Sequence, residues 1–130
     1  MAGATLLWTI RDAQLEALRA DRERAQAARI FAWLRVEFPE QAGLLDDAGL
    51  EPRLRAAEAS GERHGFAEPG EVASWMELGF LLGDGFEELP RNRWALEILE
   101  DERLDAASRL AWLVDEARQR THRRPRSDRP

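Results

Sequence analysis

Between Glu71 and Trp94 the chain reads EVASWMELGFLLGDGFEELPRNRW, and no other stretch limits the possible folds so strongly. Val72, Trp75, Met76, Gly79, Phe80 and Gly83 fall at i, i+3, i+4, i+7, i+8 and i+11, which is one stripe of a helix; Leu78, Leu81 and Leu82 make its far side apolar too. A helix that is apolar all round has to be covered all round, so this segment is the expected central helix of a bundle. The LGDGF that follows carries two glycines, which free the backbone to reverse before the next helix packs back.

The remaining segments are read around that centre. Thr9 with Asp12 three places on makes an N-cap with an acidic N3, and no glycine or proline follows until Pro39, so one long helix is expected from Ile10 to about Phe38. Its first half has a thin stripe (Leu15, Leu18, Ala25) among charges. The second half (IFAWLRVEF) is apolar on most sides, and Ile30, Phe31, Trp33, Leu34 and Phe38 are core candidates. Pro39 fits the N1 position of a short helix over Glu40 to Leu45. Asp46 or Asp47 caps the next helix, where Leu50, Leu54, Ala57, Gly61 and His64 share one side, small Ala57 and Gly61 admit a close neighbour, and Gly65 is the stop.

Pro69 and Glu71 open the central helix. Beyond the EELP segment, Arg91 to about Asp101 reads as a short helix with Trp94, Ile98 and Leu99 turned inward. A last helix, about Asp105 to Arg120, puts Ala107, Leu110, Leu113, Val114 and Ala117 on one stripe and Trp112 nearly opposite. No sustained two-residue alternation and no hairpin turn indicates a strand. The expected fold is all-α: a compact orthogonal bundle of five or six helices, with residues 1–8 as a loose lead-in, 9–120 as a single domain and 121–130 as a disordered Arg-rich tail.

Composition then restricts function. At 130 residues a single domain can bury about two thirds of its unfolded surface, enough for one core. Cysteine is absent, so disulfides, thiolate metal sites and cysteine nucleophiles are excluded, and a reducing cytoplasm is the expected location. The longest apolar runs fall well short of the roughly 20 residues that cross a bilayer, and the start has no basic signal region, so a soluble chain beginning near Met1 is expected. The net charge of −6 is unevenly spread. From Arg118 on there are six arginines and one acid, against 13 arginines and 24 acids before it. A body carrying −11 repels nucleic acid and anionic lipid, so neither is an expected partner.

Few residues suggest chemistry. His64 and His122 lie 58 apart, which is no metal-ligand spacing, and His64 reads as a packed or capping histidine. Asp84, Glu87 and Glu88 crowd one loop without the alternating oxygens of a calcium loop. No GxSxG, phosphate loop or dinucleotide fingerprint occurs. No catalytic residue, metal or cofactor is therefore assigned. Five tryptophans stand out, and Trp8 and Trp112 are the two that helical wheels leave off the core; as aromatics concentrate where proteins meet, they form the expected protein-binding surface.

Taken together, TIRDAQLEAL, FPEQ, RHGF, LGDGF and RWALEILED followed by RL resemble a set of small, poorly characterised bacterial helical proteins whose genes lie beside type VI secretion effector and spike genes. The resemblance covers most of Thr9 to Ala117. It implies a setting: a non-enzymatic interaction module, serving as adaptor, chaperone or accessory factor for a secreted effector, with an effector or spike component as partner. An immunity protein that neutralises a cognate toxin is the alternative. A small hydrolase working through acidic residues is a third reading, because carboxylate pairs are plentiful.

Overall fold

Helix formation in this chain follows its capping residues and the placement of its glycines and prolines. The computed structural model describes the backbone of residues 2–127 and the side-chain surroundings of residues 10–121. Among the described residues there are five helices: α1 (Ala2–Glu37), α2 (Asp47–Arg63), α3 (Pro69–Leu82), α4 (Arg93–Leu99) and α5 (Ala106–Ser127), with 3-10 turns at Phe86–Glu88 and Pro90–Asn92. No strand occurs among the described residues, and the fold is all-α.

Two expected boundaries are corrected. The helix assigned to start at Ile10 starts at Ala2, so the lead-in is helical; ATLLW holds no glycine or proline to oppose continuation, and Thr9 is an interior residue instead of a cap. The short helix expected over Glu40 to Leu45 is a turn instead, closed by bonds from Ala42 N to the Phe38 carbonyl (2.8 Å) and from Leu45 N to the Ala42 carbonyl (3.1 Å). So short a piece cannot repay helix nucleation. Its Leu44 is 86% exposed, and Arg35 instead ties the turn to α1 by donating to the Leu45 carbonyl (3.0 Å) and to Asp47 (2.8 Å).

α2 is capped as expected: the Asp46 carboxylate accepts from Gly49 N at 2.8 Å, and Leu50, Leu54, Ala57 and Gly61 are buried. At its end Phe66 N donates to the Gly61 carbonyl (2.8 Å), and Phe66 itself is fully buried. That return brings backbone against backbone. A Cβ on Gly61 would stand 3.0 Å from the Phe66 carbonyl oxygen, whereas one on Gly79 would meet only the Asp84 carboxylate at 3.8 Å. Gly61→Ala should therefore destabilise by about 1–2 kcal/mol, overpacking outweighing helix propensity. Gly79→Ala should stabilise by up to about 1 kcal/mol. Thermal melts of the pair check this, and equal signs would refute the close approach.

α3 opens with Pro69 at its first turn and with Glu71 reaching back to Glu68 N (3.1 Å). It is the central helix: Val72, Trp75, Met76, Leu78 and Phe80 are buried, with α2 and α5 packed on different sides and α1 crossing as well. Phe38 from the end of α1 stacks on Phe80 at 5.2 Å between ring centroids. Among the core candidates on α1, Phe31 and Leu34 are buried, and Ile30, Trp33 and Phe38 are half-buried against the cluster.

Every residue from Ile10 to Arg19 is exposed, including Leu15 and Leu18, so this part of α1 extends beyond the bundle.

α5 begins at Asp105, whose carboxylate accepts from Ser108 N at 2.7 Å; that backbone hydrogen bond holds the Asp105 pKa below its ordinary value. Leu110, Leu113, Val114 and Ala117 are buried as the stripe requires, while Ala107, in the first turn of the helix, is exposed. The boundary expected at Arg120 falls inside α5, which is helical to Ser127. Two arginines of the basic stretch are tied to the fold. Arg118 bonds Glu77 of α3, and Arg120 lays its guanidinium 4.1 Å over the Trp94 ring while pairing with Glu116. Residues 128–130, and the side chains from His122 onward, lie outside the described part of the expected tail.

Candidate protein-docking groove

The α3 stripe that organises the sequence also floors a surface groove. Because Gly79 has no side chain, and because α2 turns the small Ala56, Ala57 and Ser60 toward the same gap, the two helices leave a cavity of about 390 Å³ between them and the α3–α4 corner. Trp75, Met76, Phe80 and Phe86 form its floor. All four are buried, so the groove exposes only a small part of each.

The corner supplies the wall. Gly83 (φ 103°) and Gly85 (φ 67°) take backbone angles that L side chains avoid, and this reverses the chain tightly. Phe86 returns to within 5.0 Å of the Trp75 ring, which also packs on Phe66 (5.6 Å) and His64 (5.3 Å, stacked). Asn92, buried below, donates to the Phe86 carbonyl at 3.1 Å and fixes the turn. Glu87 is thereby placed at the groove with its side chain only 9% exposed. It accepts a 2.6 Å hydrogen bond from the Ser60 hydroxyl and has the Arg63 guanidinium at 3.5 Å.

Charge surrounds the opening. Asp84 and Glu88 are exposed on the corner; Arg53 lies 4.6 Å over the Phe80 ring and 3.8 Å from Asp84. A largely buried carboxylate beside an apolar floor suits a group that carries positive charge at the end of an apolar stem.

The back of α3 is fixed separately. Glu77 and Gly79 are two residues apart, roughly 160° around a helix. On that far side Glu77, 4% exposed, takes two bonds from Arg118, at 2.6 Å from Nε and 2.8 Å from Nη2. Hydrogen bonding to the Glu77 carboxylate is the main reason that the Arg118 pKa is raised above its usual value. This bidentate tie joins α5 to the helix that floors the groove.

Of the two tryptophans expected to form a protein-binding surface, one has its side chain among the described residues. Trp112 is 47% exposed on α5 and does not line this groove, and the Trp8 side chain lies outside the described residues. His64 is half-buried at the end of α2, stacked on Trp75, as a capping and packing histidine should be. The side chain of His122 lies outside the described residues. Among the described residues no three His, Asp or Glu side chains converge to hold a metal ion, and no helix is long and apolar enough to cross a membrane. Sequence reasoning missed the groove because Trp75, Met76 and Phe80 read as core; a glycine inside their stripe, facing alanines on the neighbouring helix, was the available signal.

No protein-family model, curated protein or solved structure matches the chain. The class defined by fold and site is thus an all-α protein with an apolar, charge-rimmed groove between two helices and their corner.

Proposed function

We propose that the chain is a non-enzymatic protein-interaction module that docks its partner in the α2–α3 groove. The observation that carries this reading is the groove itself, apolar at its floor and charged at its rim, which is the anatomy of a protein contact surface. The setting rests on the sequence resemblance: an adaptor, chaperone or accessory factor acting in the cytoplasm on an effector or spike component of type VI secretion. An acidic body favours a partner with a basic surface, since opposite fields speed and orient encounter. That same charge suits an immunity protein, which is the second reading.

Gly79→Leu directs an isobutyl group at the groove; the added Cβ itself would meet no atom closer than the Asp84 carboxylate at 3.8 Å. Affinity-tagged wild-type and Gly79→Leu chains, expressed in the host, should differ: the partner co-purifies with the first and is lost from the second. Partner retained equally by both would place the contact elsewhere. Trp112→Ala in the same assay tests the α5 surface and should leave capture intact. Deleting the gene then separates the roles, because an adaptor is needed for effector export and an immunity protein for survival beside its toxin.

A further inference from the structure

The groove's charges identify the kind of segment that would fill it. Glu87 sits in a nearly closed position, yet among the described residues the cation paired with it is Arg63, at 3.5 Å and 64% exposed in its side chain. A carboxylate removed from water to that degree gains most from a cation that is removed from water with it. The chain also displays how a cation binds here: the Arg53 guanidinium lies on the face of Phe80 with the Asp84 carboxylate 3.8 Å away. With 24 acids against 13 arginines before Arg118, the body adds a long-range pull in the same direction.

We infer that the occupant is a basic amphipathic segment of another protein. It sets one large apolar side chain on the Trp75–Phe86 floor and brings a neighbouring Lys or Arg to Glu87, displacing the loosely held Arg63. This inference rests on the groove being the docking site and adds the chemistry of what docks. An apolar anchor beside a charge-assisted hydrogen bond gives affinity from the first and selectivity from the second. An acidic or uncharged segment would leave Glu87 with no better partner than it has.

A displayed library of random peptides, selected on the folded wild-type chain and depleted on Gly79→Leu, tests the idea. The selected peptides should carry Arg or Lys beside Leu, Met, Phe or Trp. Affinity of the strongest one, measured by fluorescence anisotropy, should fall about tenfold on Glu87→Gln and weaken as salt rises. Glu88→Gln, on the exposed side of the same turn, should weaken it less and disturbs no buried contact. If the groove-dependent peptides are acidic or uncharged, or if Glu87→Gln, still folded by its melt, binds as tightly as wild type, the cation is refuted while the groove stands. If wild type selects nothing that Gly79→Leu fails to bind, the docking reading falls with it.

Discussion

Trp75→Ala should lower the stability of the domain by about 3–5 kcal/mol, the range for removing a large aromatic from a packed core. The residue is 3% exposed and touches the rings of His64, Phe66 and Phe86, which come from the end of α2, the loop after it and the α3–α4 corner. Truncation leaves a void bounded by three different segments, and none can close it without moving the corner that carries Glu87. Urea denaturation followed by circular dichroism measures the loss, and the melting temperature should fall on the order of 10–20 °C. A change below about 1 kcal/mol would mean that α3 is not the centre of the bundle.

Arg118→Ala is the second large effect expected, and it works through the partner left behind. Glu77 is 4% exposed, so without the guanidinium its charge stays buried with no counter-ion. Breaking a fully buried pair costs about 3–5 kcal/mol; the Arg118 side chain is half exposed and water reaches it, which reduces the expectation to about 1–3 kcal/mol. Adding Glu77→Leu to the Arg118→Ala background should recover most of the loss, because an apolar side chain has no charge to desolvate. A double-mutant cycle from denaturant melts checks both statements. Arg118→Ala melting like wild type would reduce the pair to a surface contact.

What could be read from the sequence was whatever one segment states about itself. The α3 stripe, the Asp46 cap, the buried side of α2 and the Leu110–Ala117 stripe of α5 each follow from spacing within a single helix, and each is found in place. What could not be read depends on residues far apart in the chain. Glu77 with Arg118 and Ser60 with Glu87 join positions that no periodicity relates. A helical wheel gives the direction of a face without saying which neighbour covers it, so Trp75, Met76 and Phe80 were seen as core and not also as the floor of an opening. Glu77 nevertheless left a trace. A lone carboxylate in the middle of an otherwise apolar helix calls for a cation from elsewhere, but α1, α2 and α5 all carry arginines beside their apolar stripes, so spacing alone does not say which one supplies it.

The exposed length of α1 from Ile10 to Arg19 gives a single helix two unequal regimes. Near Phe31 and Leu34, unwinding a turn would strip side chains from the bundle, whereas between Ile10 and Arg19, where every residue is exposed, it would uncover no part of the core. The rod can therefore loosen and rewind at its outer end while the five-helix assembly beneath it, and the groove on the far helices, keep their shape.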